Sequence, residues 1–128
     1  MRHIIETGIP KANAPLELAA IANNILYACC VPTLPDGTVE TSSFVAQVER
    51  TMLNLKQTVE AAGATMDDVF QVQIFLTDKK YFPELNDAYG KFFRAPYPVR
   101  ATLINGLIVP GADIEILAQA DVSRATKR

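Results

Sequence analysis

Apolar positions along this chain follow two periods, strand-like at both ends and helix-like in between. Residues 2–7 read as a short strand, ended by Gly8 and Pro10, which continue a ladder poorly. Leu16 to Ile21 has some helical propensity, but Asn23-Asn24 follows, and then the β-rich run Ile25-Leu26-Tyr27-Ala28-Cys29-Cys30-Val31. The segment therefore reads as strand, asparagine turn, strand. Leu34-Pro35-Asp36-Gly37 marks a turn in which proline presets φ and glycine accepts a positive one.

A helix follows, with Ser42 or Ser43 as its cap. Val45, Val48, Met52, Leu55, Val59 and Ala62 recur every three or four residues and line up as one stripe, and Gly63 suits the position just past the end. Thr65-Met66-Asp67-Asp68 resembles a capped turn. It opens a strand over residues 69–76, with Phe70, Val72, Ile74 and Leu76 on one face and Gln71, Gln73 and Phe75 on the other.

A second helix is predicted after Asp78, with Pro83 in its first turn and Phe82, Leu85, Tyr89 and Phe92 or Phe93 on its buried side. It stops before Pro96 and Pro98. Two last strands, residues 100–108 and 113–122, flank Val109-Pro110-Gly111-Ala112 and read as a hairpin. In the final strand Ile114, Ile116, Ala118, Ala120 and Val122 share one face, and Glu115, Leu117, Gln119 and Asp121 the other. The order βββαβαββ implies an α+β domain, one mixed sheet with both helices on one face. Phe75 and Leu117 make the opposite face apolar too, so another subunit is expected to cover it.

Composition sharpens this picture. With 128 residues, 49% of them hydrophobic and 20% charged, the chain fits one domain over residues 1–128 and excludes disorder. Its mean hydropathy of +0.12 is high for so small a chain and again points to subunit contacts. Twelve basic against fourteen acidic residues give a net charge of −2, and the basic runs are Lys79-Lys80 and the tail at residues 124–128, which disfavours phosphate-driven nucleic-acid binding. Cys29 and Cys30 are adjacent and have no third cysteine to pair with. The N-terminus is broken by charge, and no apolar run approaches the roughly 18 to 20 residues of a membrane span. A cytoplasmic setting, without membrane attachment, is expected.

Few residues can carry chemistry. The single histidine, His3, lies in the first strand near a terminus, so histidine clusters on a metal and Ser-His or Cys-His catalysis lack their parts. No dinucleotide, P-loop or CxxC motif occurs, so dinucleotide, P-loop nucleotide and zinc-ribbon readings have no support. Cys29 and Cys30 lack a visible activating cation and read as small buried hydrophobes facing opposite ways. Arg100 and Glu115 remain, either as a working pair or as two ordinary strand charges, with the stagger of a hairpin separating them within one subunit.

Several stretches together resemble the RidA/YjgF family of enamine and imine deaminases. They are residues 25–32, Glu60-Ala61-Ala62-Gly63-Ala64 with Met66-Asp67-Asp68-Val69, Ile74-Phe75-Leu76-Thr77-Asp78, Asn86-Asp87-Ala88-Tyr89 with Phe92-Phe93, and Pro98-Val99-Arg100-Ala101-Thr102 with Val109-Pro110 and Ile114-Glu115-Ile116. The resemblance implies a chorismate-mutase-like (bacillus-type) fold, a homotrimer with sheets facing inward, and clefts between subunits that hydrolyse small 2-enamino or 2-imino acids without a cofactor. It assigns the substrate carboxylate to Arg100, the attacking water to Glu115, a water-holding backbone carbonyl to Thr102 and a cleft position to Asn86. It also places Ala28 and Cys29 in the stretch that approaches the substrate. There the family commonly reads Ser-Gly-Gln, and here Ala28-Cys29-Cys30 stands instead. An early-loop tyrosine is replaced by Pro15-Leu16-Glu17-Leu18, so a differently shaped pocket is expected. A non-catalytic keto-acid-binding relative and a ribonuclease or translation inhibitor are the alternative readings.

Overall fold

The computed structural model describes residues 1–125, so Lys127 and Arg128 of the basic tail lie outside the described residues. Strands β1 (His3–Ile4), β2 (Ala19–Ala22) and β3 (Ile25–Cys30) come first, then helix α1 (Phe44–Ala61), β4 (Val69–Leu76), α2 (Phe82–Tyr89), β5 (Val99–Ile104) and β6 (Ile114–Asp121). The eight elements follow the expected order and form one six-stranded mixed sheet, β1-β2-β3-β6-β4-β5.

Local chemistry explains most of these elements. Asn23 and Asn24 both take positive φ, 52° and 61°, which a two-residue hairpin loop of matching twist requires, and so they fix the β2–β3 register at Ala22↔Ile25. Ser43 caps α1 by accepting from the amide of Ala46. Past its end Gly63 takes φ +82°. The Thr65 amide donates to Asp68 Oδ2 and closes the capped turn before β4.

The last hairpin does not form. β5 pairs in parallel with β4, and β6 runs antiparallel between β3 and β4. A parallel pair needs a crossover, and α2 supplies it. Val109-Pro110-Gly111-Ala112 does turn, with Gly111 at φ +84° and the Ala112 amide on the Val109 carbonyl. That signal fixes a local reversal and says nothing about strand partners. β6, apolar on its core face and partly apolar on the other, takes the central place, while β5 with its exposed Val99, Leu103 and Ile104 stays at the edge.

Both helices pack on one face. Leu26, Val72, Ile74, Leu76, Ile114 and Ile116 of the sheet meet Val48, Met52, Leu55 and Val59 of α1 and Leu85 of α2, all nearly or fully excluded from solvent. Two expected core positions differ. Phe70 is exposed because the β4–β6 register shifts between Val69 and Gln71 and turns Phe70 out of the alternation. Phe82, in the first turn of α2, is 44% exposed and reaches toward the sheet edge. The opposite face of the sheet has no helix, and Tyr27, Leu117, Val99 and Leu103 are exposed there. Among the described residues no helix is long and apolar enough to cross a membrane.

Two buried amides on α1 tie the helix to the loop before β6 and the loop after β3. Gln47 donates to the Gly111 carbonyl at 2.7 Å and accepts from the Asp113 amide at 2.8 Å. Asn54 donates to the carbonyls of Val31 and Thr33. Thr77 at the end of β4 donates to Asp113 Oδ1 at 2.6 Å. The start of β6, and with it Glu115, is thus held from two sides.

Candidate functional site

Arg100 sits on the edge strand β5, level with Val72 of β4 and on the same, helix-covered face. There it meets α2. Phe82, Asn86 and Tyr89 are spaced by four and three residues, so they share the side of α2 that faces the strand. Arg100 Nη2 donates to Asn86 Oδ1 at 2.8 Å, and the guanidinium carbon lies 5.0 Å from the Tyr89 ring centroid and 5.7 Å from that of Phe82. Both distances are within cation–π range. No carboxylate among the described residues pairs with Arg100.

A cleft of about 330 Å³ opens beside the guanidinium, lined by Asn86, Tyr89, Gly90, Tyr97, Pro98 and Arg100. Tyr89 floors it. Its hydroxyl is buried without a partner, and burial pushes the phenol up to about 12 against the opposing pull of Arg100. Thr102 is two residues along β5 on the face of Arg100, half-buried and level with Ile74.

Glu115 belongs to the other face. Its neighbours Ile114 and Ile116 are fully buried under the helices, so alternation turns Glu115 to the helix-free side. Cys29 on β3 donates its thiol to Glu115 Oε2 at 3.4 Å. Burial, then the Glu115 charge, then this hydrogen bond push the Cys29 thiol up to about 12. Cys30 points into the core, where burial likewise raises it to about 12. Ala28 also points inward, its methyl packed opposite Ala118, so only its main chain borders the shallow groove of Tyr27, Gln71, Gln73, Leu117 and Gln119.

The structure therefore brings Arg100, Asn86 and Thr102 together, and separately Cys29 and Glu115, but not the two groups. Arg100 is level with Val72 and Glu115 with Phe75, three residues along β4 and two strand spacings across. That places their Cα atoms roughly 14 Å apart and their side chains on opposite faces. Phe82 and Tyr89 escaped notice as partners of Arg100, although their spacing from Asn86 was visible in the sequence. Among the described residues no cluster of three or more His, Cys, Asp or Glu could hold a metal.

The raised thiol has a measurable consequence. A group at about 12 is thiolate only to about one part in ten thousand at pH 8, against roughly a quarter for an ordinary cysteine. Alkylation of Cys29 by iodoacetamide at pH 8 is expected to run at least about a hundredfold slower than that of an exposed cysteine peptide. Peptide mapping after a timed pulse checks this, and labelling at the peptide's rate would contradict the half-buried, hydrogen-bonded thiol.

Comparison with known proteins completes the picture. The family model described as Endoribonuclease L-PSP matches residues 7–122. The yeast protein HMF1 of Saccharomyces cerevisiae is 30% identical over 118 residues, covering 91% of this chain and 92% of that one. The fold is similar to YyfA of Yersinia pestis, a protein of unknown function of the Rid family, at TM-score 0.89 and 29% identity over 95% of this chain and 100% of that one. It is also similar to E. coli TdcF, solved with bound serine, at TM-score 0.86 and 27% identity over 94% of this chain and 99% of that one. The fold similarity, the family match along almost the whole chain and the identity to HMF1 lead to one statement of kinship: the chain belongs to the Endoribonuclease L-PSP family, also known as YjgF/RidA.

Proposed function

We propose that this protein hydrolyses small 2-enamino and 2-imino acids to 2-keto acids and ammonia, in clefts formed between the subunits of a homotrimer. The observation that carries this reading is Arg100: a half-buried guanidinium held by Asn86, Tyr89 and Phe82, without a carboxylate partner among the described residues and opening on a cleft. An arginine positioned but electrostatically unmatched is a seat for a small carboxylate, which it can grip through two parallel hydrogen bonds. The bound serine of the E. coli relative, an α-amino acid, supports a ligand of this class.

The second functional group comes from a neighbouring subunit. Glu115 lies on the exposed sheet face beside Tyr27, Leu117, Val99 and Leu103, the apolar surface that assembly would cover. Stacking that face against the β5–α2 edge of a sister chain puts one subunit's Glu115 near another's Arg100. There the carboxylate takes a proton from water as the oxygen attacks the imine carbon. The proton passes to the nitrogen, the C–N bond of the tetrahedral adduct breaks, and ammonia leaves as the C=O bond forms. An enamine first takes a proton at carbon to become the imine. The backbone carbonyl of Thr102, on the strand of Arg100, helps hold the water.

Every step is acid–base chemistry, so the mechanism calls for no cofactor. Two unpaired thiols fit a reducing, cytoplasmic setting. A net charge of −2 and few basic clusters give RNA little electrostatic attraction, which argues against the ribonuclease reading. To test the proposal, imines are generated in place by an amino-acid oxidase, and ammonia and keto acid are followed with and without the protein. Release faster than spontaneous hydrolysis is expected; tight keto-acid binding with no acceleration would leave a non-catalytic binder.

A further inference from the structure

The way Arg100 is held suggests more than an anchor. On α2, residues 82, 86 and 89 form one stripe, and all three meet the guanidinium: a ring at 5.7 Å, an amide oxygen at 2.8 Å and a second ring at 5.0 Å. The helix is only eight residues long and buries Leu85, Ala88 and Tyr89 in the core, so its position relative to β5 is fixed by packing. Phe82 is different. At 44% exposure it contributes less to that packing than its size allows, and it spends its ring on the arginine instead.

We propose that Phe82 is a positioning residue: together with Tyr89 and Asn86 it clamps the Arg100 guanidinium in one orientation, so that its remaining donor edge faces the cleft. An unclamped arginine at a sheet edge samples many rotamers, and each bound carboxylate must then order it at an entropic cost. The aromatic rings remove that cost without supplying a competing negative charge. An aspartate or glutamate in the same place would also fix the arginine, but it would occupy the donors that the ligand needs. Asn86 takes one N–H of Nη2, and the remaining donors suffice for a single two-pronged carboxylate.

This inference rests on Arg100 being the carboxylate seat, and the experiment separates the two ideas. Binding of 2-oxobutyrate is measured by calorimetry for wild type, Phe82→Leu, Phe82→Trp and Arg100→Ala, with thermal melting confirming that each is folded. Leucine keeps volume and hydrophobicity but has no ring quadrupole, whereas tryptophan has a stronger one. Phe82→Leu is expected to weaken binding about two- to fivefold, Phe82→Trp to bind at least as tightly as wild type, and Arg100→Ala to lose binding. In steady-state assays the leucine variant should raise KM and spare kcat. If Arg100→Ala loses binding but Phe82→Leu matches wild type, the clamp is wrong and the seat stands; if Arg100→Ala binds normally, both fall.

Discussion

Replacing Arg100 with alanine is expected to lower kcat/KM for 2-imino acids by a factor on the order of 10² to 10³ and to remove measurable keto-acid binding. The size follows from the loss of two charge-assisted hydrogen bonds to a carboxylate that nothing else nearby can neutralise. Stability should change little. Arg100 is only half-buried and has no carboxylate partner among the described residues, so its removal strands no buried charge. What it leaves behind is the Asn86 amide oxygen, which is exposed to water. Arg100→Lys tests geometry against charge: a lysine keeps the positive charge but lacks the planar fork and the stacking on Phe82 and Tyr89, so most of the loss should remain. Steady-state kinetics and calorimetry on the three proteins decide the matter, and unchanged binding in Arg100→Ala would end the carboxylate-seat reading.

Glu115→Gln is expected to act on a different step. The glutamine has the same shape and can still accept from the Cys29 thiol, but it cannot take a proton from water. Loss of a positioned base costs typically 10² to 10⁴ in rate, so kcat should fall by about that factor while KM stays within about twofold. Melting should be unaffected, since the Cys29–Glu115 contact is a thiol hydrogen bond at 3.4 Å between half-buried groups. A fall in KM-determined binding without a loss of kcat would instead make Glu115 a contact residue. The contrast between the two variants, one failing in binding and the other in turnover, is the kinetic signature of a divided site.

Much of this was legible in the sequence, and the exceptions share a cause. Elements defined by local chemistry came through: the Asn23-Asn24 hairpin, the Ser43 cap, the α1 stripe, the Thr65–Asp68 turn. Strand partnership did not, because Pro110-Gly111 specifies how the chain reverses, whereas the insertion of β6 between β3 and β4 is decided by which strand can be buried over its full length. The same limit applied to the site. Arg100 and Glu115 stood out as charges on apolar strands, but the hairpin reading made their separation a matter of stagger along one ladder. The actual topology puts a strand between them and turns them to opposite faces. The polar groups that hold the scaffold in place, Gln47 and Asn54, sat on the buried side of α1 and could have been recognised as such from position alone. Their partners, main-chain atoms of distant loops, could not.

The central claim is that Arg100 and Glu115 work together across a subunit boundary, and mixing the two inactive variants tests it most directly. Arg100→Ala and Glu115→Gln chains, differently tagged, are co-refolded in equal amounts, and the mixed trimers are assayed. Random assembly makes about three quarters of the trimers mixed, and a closed ring gives each of these one cleft with both residues intact, so about a quarter of wild-type activity should return. Activity that stays at the level of the separate variants, in a sample shown by its tags to contain mixed trimers, would contradict a site shared between subunits.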